Sequence, residues 1–334
     1  MLMKGQIIKI HSDLYYVKPE NGPVCICKIR EILKKQKVSV VTGDFVEFDN
    51  DVIFRICPRK SFIKRPAVSN IDQIVIVSAL KQPELDFHQL NRYITLAKYY
   101  KIPIVLCFNK EDLGLESFLQ DRILSVYGAL KYKIVFTSAL EKMGIDDFAS
   151  VLKNKTSALC GNSGVGKSSL INALNPKINL KTKSVSEKSN RGTHTTRHCE
   201  IVPINEDTYI VDTPGFSNVK FDFIMPKDVD LFFEEIRSYK SGCKFSDCLH
   251  INEAGCNVLK NLDKIDSSRY ESYVAFVQEA FEYKQRVKFN GVKEETHQKF
   301  QHNKEVAKIS EKKRMASRST QRQKIYREID EDEN

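Results

Sequence analysis

Two rhythms of apolar residues divide this chain. Up to about residue 66, short runs rich in β-branched and aromatic residues follow one another: KGQIIKI, LYYVKP, VCICKI, VVTGDFVEF and VIFRICP. Turn formers punctuate them at Asp13, Asn21-Gly22, Thr42-Gly43-Asp44 and Asp49-Asn50-Asp51. About five short strands in so little chain predict a small closed barrel of the oligonucleotide/oligosaccharide-binding (OB) type, and an SH3-like barrel fits the same pattern. Pro58 and Pro66 bracket a basic stretch, 59–65, that reads as the exit linker.

From Ile71 the rhythm changes. IDQIVIVSAL is a continuous apolar run, as expected of a strand covered on both faces. Asp86 and Gln89 then form a capping box, and Phe87, Leu90, Ile94 and Ala97 recur on one helical face. IPIVLCF, a helix over 116–127, KIVFTSAL, TSALCG, CEIVPI and TYIVDTPG follow. Strands alternating with helices predict an α/β domain built on a parallel, doubly wound sheet. Beyond Gly215 the pattern turns helical and cysteine-rich to residue 283, and then polar and basic. The expected organisation is a barrel over 1–66, an α/β domain over 67–221, a helical domain over 222–283 and a partly helical or disordered tail over 284–334.

Composition adds three constraints. Apolar residues make up 41% of the 334 positions, which is ample for packed cores. The formal net charge is +10, yet Lys284 to Arg327 alone carries 14 Lys or Arg against four Glu, so the remaining chain balances at 39 of each sign. Basicity therefore belongs to the tail, which then ends in the acidic stretch 328–333. No apolar run approaches the roughly 18 residues of a membrane span, and the N-terminus has no signal-like segment, so a cytoplasmic protein without membrane contact is expected. Nine cysteines, with three crowded into 243–256, favour free thiols plus a metal site over a disulfide framework.

The candidate chemistry lies at strand ends. Gly161-Asn162-Ser163-Gly164-Val165-Gly166-Lys167-Ser168-Ser169 follows an apolar strand and opens a helix. Glycines there let backbone N–H groups turn inward around phosphates; Lys167 would reach the β- and γ-phosphates and Ser168 would hold magnesium. Asp212-Thr-Pro-Gly215 ends TYIV, placing Asp212 toward magnesium through water and the Gly215 N–H toward the γ-phosphate. Asn109-Lys110-Glu-Asp112 ends IPIVLCF, where a carboxylate can accept both N1–H and N2–H₂ of guanine. Ser138-Ala139 ends KIVF and would support guanine O6 from the backbone. Together these motifs select GTP over ATP.

Their order is a circular permutation: the guanine motifs precede the phosphate loop, so the Asp212 motif leads straight into the C-terminal domain. The stretch 186–197 is the candidate first switch. A threonine there, Thr196 or alternatively Thr195, would complete the magnesium shell in the triphosphate state. Phe216 follows Gly215 where many GTPases place a water-orienting glutamine, and His194 is the candidate for positioning the water instead. Cys243, Cys248, His250 and Cys256 offer three thiolates and an imidazole, the composition of one closed, structural zinc site.

In this order the barrel, NKED, SAL, GNSGVGKSS, RGTHTTRH, DTPGF and the C-x₄-C-x-H-x₅-C block resemble the ribosome small subunit-dependent GTPase A family over about residues 1–283. Arg269-Tyr-Glu-Ser-Tyr273 resembles that family's helix after the zinc block. The resemblance implies a circularly permuted GTPase of late 30S assembly. It further implies that the GTP state controls binding to the subunit near the decoding region, with weak hydrolysis that the subunit stimulates and His194 as a catalytic candidate. Thr193 departs from the basic residue the family often has there, and the resemblance assigns no contacts to the long tail after Lys284. The expected partners are GTP/GDP and the 30S subunit with its rRNA, bound by a monomer. A GTP-dependent RNA-binding switch with incidental hydrolysis is the alternative. A zinc-storage protein would leave the barrel and tail unexplained.

Overall fold

The computed structural model describes residues 2–35, 39–180, 199–212, 223–290, 298–301 and 304–307. Residues 1–289 form one compact unit and 290–334 a second.

The barrel comprises β1 (Met3–His11), β2 (Leu14–Pro19), β3 (Cys25–Ile29), a short helix α1 (Glu31–Lys35), β4 (Phe45–Asp49) and β5 (Val52–Ile56). Strand order is β1-β2-β3-β5-β4, and β4 returns onto β1, which closes the ring in the OB manner. Alternation fills the inside: Ile7, Val17, Cys27, Val46, Phe48 and Ile53 are all fully buried. The expected strand over VVTGDFVEF begins only at Phe45, because Asp44 upstream has another task. Its carboxylate accepts the Val41 N–H at 2.9 Å, the Ser69 hydroxyl at 2.6 Å and the Arg59 guanidinium at 2.6 and 2.8 Å. That knot ties the barrel to the hairpin of β6 (Phe62–Lys64) and β7 (Ala67–Ser69), so the linker is strapped down rather than free.

The α/β sheet runs β8 (Gln73–Ala79), β9 (Ile104–Asn109), β10 (Lys133–Thr137), β11 (Thr156–Cys160), β12 (Glu200–Pro203) and β13 (Tyr209–Asp212), in the order β10-β9-β8-β11-β13-β12. All pairs are parallel except the antiparallel edge strand β12, which touches β1 through Lys9↔Glu200. Successive residues of β8 alternate sides. Ile74 and Ile76 meet Leu90, Tyr93, Ile94 and Ala97 of α2 (Phe87–Tyr99) on one face. Val75 and Val77 meet Phe148, Val151 and Leu152 of α4 (Ile145–Leu152) and Leu170 and Ile171 of α5 (Lys167–Leu174) on the other. Asp86 caps α2 by accepting the Gln89 N–H at 3.0 Å. The helix expected over 116–127 is α3 (Ser117–Ile123) followed by one π turn, Leu124–Gly128, which turns Tyr127 fully inward.

A 3₁₀ turn (Pro226–Phe232), α6 (Glu234–Lys240), the cysteine loop and α7 (Ser267–Asn290) build the third module around Val229, Phe233, Ile236, Tyr273, Phe276 and Val277. Polar contacts dock it on the α/β domain. Lys98 of α2 donates to the Phe232 carbonyl at 3.0 Å and pairs with Glu234; Arg92 pairs with Glu279; Arg122 grips Asp266 at 3.1 and 3.2 Å. In the second unit, the described residues form the hairpin of β14 (Gln298–Gln301) and β15 (Lys304–Ala307). Among the described residues no helix is long and apolar enough to cross a membrane.

Candidate nucleotide site and metal centre

Parallel strands deliver their following loops to one edge, which is why α/β sheets bind ligands beyond the carboxyl ends. β9 ends at Asn109, β10 at Thr137, β11 at Cys160 and β13 at Asp212, so all four motifs reach that edge. Asn109 joins three of the loops. It is 1% exposed; its Oδ1 accepts the Thr137 hydroxyl and the Ala139 N–H, both at 3.1 Å, and its Nδ2 donates to the Val165 carbonyl at 2.9 Å. Asn109 thus holds the guanine loops against the phosphate loop. The Ala139 N–H, offered by the sequence reading to guanine O6, already serves Asn109, and the Ser138 N–H donates to the Met143 carbonyl at 3.0 Å. Contact with O6 requires the Ala139 amide to be shared between two acceptors.

Asp112 sits on a single 3₁₀ turn, Glu111–Leu113, and accepts the Ser138 hydroxyl at 2.5 Å. One carboxylate oxygen is thereby oriented by the neighbouring loop. Lys110 adopts a left-handed conformation and donates to the Gln82 carbonyl, and partial burial holds its amine below the ordinary lysine range.

Two glycines of the phosphate loop are dictated by their neighbours. A Cβ at Gly161 (φ +147°) would stand 2.1 Å from the Val77 carbonyl oxygen, and one at Gly166 (φ +95°) 2.2 Å from Asn109 Nδ2. Lys167 lies across the loop and donates to the carbonyls of Gly161 at 2.8 Å and Asn162 at 2.7 Å. Ser168 and Ser169 occupy the first turn of α5, half-buried, while Leu170 and Ile171 face the core. Tyr93 of α2 donates to Asn162 Oδ1 at 3.0 Å, a support for the loop that no sequence motif announced.

Four candidates lie outside the described residues: His194, Thr195 and Thr196 in 181–198, and Gly215 in 213–222. Asp212 is described as the last residue of β13, and its side chain is not.

Cys243, Cys248, His250 and Cys256 converge, with their ligand atoms all within 4.8 Å of one another. The other five cysteines are unbridged too, in line with free thiols. Cys243 Sγ and Cys256 Sγ are 3.9 Å apart, and each is 3.5 Å from His250 Nδ1. A tetrahedral zinc ion with bonds of about 2.3 Å to sulfur and 2.0 Å to nitrogen requires edges of about 3.8 and 3.5 Å. Cys243, Cys256 and His250 match those edges, and with Cys248 the donor set has the chemistry of such a site. Burial, with Cys256 alongside, pushes the Cys248 thiol up to about 12. Burial acts on Cys243 in the same sense, yet the Asn257 and Val258 N–H groups and the neighbouring thiols hold it below the ordinary range. Three thiolates this close ionise together only around a cation. Burial also lowers the pKa of His250, favouring the neutral, ligating imidazole.

The surrounding loop is held by residues that the sequence reading did not single out. Glu253 accepts the N–H groups of Leu249 at 2.6 Å, Ile251 at 2.9 Å and Asn252 at 3.2 Å. These bonds overcome the effect of burial and keep its carboxyl below the usual range. Tyr270 and Tyr273 of α7 donate to the carbonyls of His250 and Leu249, each at 2.9 Å.

Known proteins are similar to this chain over most of its length. The family model described as RsgA GTPase matches residues 56–222, the RsgA N-terminal domain matches residues 4–52, and the 50S ribosome-binding GTPase model matches residues 156–314. The small ribosomal subunit biogenesis GTPase RsgA of Agathobacter rectalis is 38% identical over 296 residues, covering 83% of this chain and 98% of its own. The crystal structure of YjeQ from Thermotoga maritima superimposes with a TM-score of 0.72 at 33% identity, over 84% of this chain and 99% of that one. YloQ, a circularly permuted GTPase, gives 0.68 at 30% identity, over 84% and 96%.

Proposed function

This chain belongs to the RsgA GTPase family, and we propose that it hydrolyses GTP as a checkpoint in late maturation of the 30S ribosomal subunit, which stimulates it. The observation that carries the reading is the meeting of the guanine, phosphate-loop and strand-end motifs at one sheet edge, with Asn109 bonded across three loops.

Asp112 reads guanine N1–H and N2–H₂, Ser138 orients it, and Lys110 and Ala139 flank the base. Gly161, Asn162, Ser163, Gly164, Val165 and Gly166 wrap the phosphates with their N–H groups. Lys167 exchanges its two carbonyl acceptors for β- and γ-phosphate oxygens, and so stabilises the charge that develops as water attacks the γ-phosphoryl group. Ser168 and Thr196, with Asp212 behind them, would hold magnesium, which would supply positive charge to neutralise the phosphates. Thr195 is the alternative ligand. His194 positions the attacking water, since Phe216 stands in the glutamine position and cannot. Gly215 senses the γ-phosphate, and the chain after it leads directly into the metal-binding module.

Zinc at Cys243, Cys248, His250 and Cys256 is structural, because the four protein ligands close the tetrahedron. The module boundaries follow as 1–66, 67–221, 222–283 and 284–334. The protein acts in the cytoplasm as a monomer, and its tail adds phosphate contacts on rRNA. The test is GTP turnover with and without purified 30S subunits, for the wild type, His194→Ala and Lys167→Ala. Stimulation by 30S that both variants lose is expected. No stimulation, or full stimulated turnover in His194→Ala, would count against the mechanism. Phe216 keeps one second reading in play, an RNA-binding switch with incidental hydrolysis, and 30S binding without stimulation would select it.

A further inference from the structure

The coordination geometry leaves two buried atoms without partners. His250 is fully buried and turns Nδ1 toward the sulfurs of Cys243 and Cys256. Its other nitrogen, Nε2, is buried with no hydrogen-bond partner among the described residues. When Nδ1 ligates a metal, the ring proton resides on Nε2, so this orphan is a donor. Asp230, 2% exposed, shows the complementary defect. One of its oxygens accepts Lys240 Nζ at 2.6 Å, and Oδ1 is buried with no partner among the described residues. Asp230 stands beside Val229, which packs in one apolar cluster with Cys248, Cys256 and the ring of Tyr273. The Tyr273 ring lies 6.3 Å from the imidazole.

We propose that Asp230 is the outer-sphere partner of the metal ligand His250, its carboxylate taking the Nε2–H through a bridging water and so fixing the ring with Nδ1 toward the sulfurs. A buried donor and a buried acceptor left without partners each destabilise the fold, and one bridging water satisfies both. Lys240 neutralises the other carboxylate oxygen, so the bridge adds no unpaired charge to the core. Metal-bound histidines generally hand their second N–H to a carboxylate, which sets tautomer and ring orientation. Here that carboxylate belongs to the 3₁₀ turn whose Phe232 carbonyl is gripped by Lys98 of α2, so the metal's outer sphere is anchored on the α/β domain.

This inference rests on the zinc reading, and the experiment separates the two. Zinc affinity of the full chain is measured by competition with a chromophoric chelator for wild type, Asp230→Ala, Asp230→Asn and Cys243→Ser. The histidine nitrogens of the zinc-loaded wild type are assigned by ¹⁵N spectroscopy. The expected result is loss of zinc in Cys243→Ser and about 10–100-fold weaker binding in Asp230→Ala, as outer-sphere losses typically show. Asp230→Asn should recover most of the affinity through its amide oxygen. In the wild type, His250 should be bound through Nδ1 with a slowly exchanging Nε2–H. A zinc-loaded wild type with Nε2 as the ligating atom, or Asp230→Ala within twofold of wild type, would overturn this inference alone. A wild type that binds no zinc would overturn both. Should Asp230→Ala fold poorly, the wild-type nitrogen assignment still decides.

Discussion

Replacing Arg269 by Met tests how the metal-binding module is held on the α/β domain. Arg269 is 1% exposed at its side chain, donates from Nε to Glu235 Oε1 at 2.6 Å and from Nη1 to Asn91 Oδ1 at 2.8 Å, and lies 4.4 Å above the Phe233 ring. The two acceptors respond differently to its loss. Asn91 Oδ1 retains the Tyr127 hydroxyl at 2.9 Å as a donor, so it stays satisfied. The Glu235 side chain, 17% exposed, loses its cation, and its Oε2 is already buried without a partner among the described residues. The cost therefore sits on an uncompensated carboxylate and should reach about 3–5 kcal/mol, a large share of the roughly 5–15 kcal/mol that holds a domain folded. Adding Glu235→Gln removes that charge, and the double variant should recover about 2 kcal/mol against the sum of the single changes. Urea unfolding of the four zinc-loaded proteins of the cycle measures it. A loss below about 1 kcal/mol in Arg269→Met, or additivity within about 0.5 kcal/mol, would refute the reasoning.

Two further outcomes follow from named contacts. Asp112→Asn keeps an acceptor for guanine N1–H but presents an amide donor to guanine N2–H₂, so two charge-assisted bonds of about 1.5–3 kcal/mol each are lost or weakened. GTP affinity should fall at least 100-fold while xanthosine triphosphate binding improves; titration with fluorescent analogues checks both. Asp266 caps α7 by accepting the Ser268 N–H at 3.0 Å and holds Arg122. Burial would raise its carboxyl, yet the bonds from Arg122 and Ser268 win and lower it. A lowered folded value means that the unfolded chain takes up the proton first. Its stabilisation is thus complete above about pH 4, the ordinary carboxylate value, and lost as pH falls through the folded value below that. Asp266→Asn should flatten the dependence of stability on pH in that acid range, as urea unfolding at several pH values would show.

Local features of the fold were readable from the sequence because they depend on neighbours along the chain. The alternation of Ile74 and Ile76 against Val75 and Val77 and the Asp86 cap each obey a short-range rule. The metal ligands were readable because they fall within 243–256 and their residue types serve few other purposes together. What stayed hidden depends on pairing across the chain. Nothing in VVTGDFVEF tells that Asp44 leaves the strand to bind Arg59 and Ser69. Asp230 lies 20 positions before His250, and Tyr93 lies 69 before Asn162. An aspartate in a polar turn and a tyrosine in an amphipathic helix carry no periodic signal of such partners.

The helix α2 shows why those hidden contacts matter to a permuted GTPase. Residues two apart on a helix point about 200° away from each other. Tyr93 reaches the phosphate loop at Asn162, and Asn91 reaches the opposite way, donating to the Ser268 carbonyl at 3.2 Å and the Ser272 hydroxyl at 2.9 Å of α7. Between them Arg92 binds Glu279, and five residues beyond Tyr93 Lys98 binds the Phe232 carbonyl. The metal-binding module is therefore joined to the nucleotide site twice: by the chain that leaves β13 at Asp212 and by a helix clamped between the phosphate loop and α7. A covalent connection alone would let the module swing. With α2 as a second, polar and mostly buried attachment, the module is also held to the frame that carries the phosphate loop.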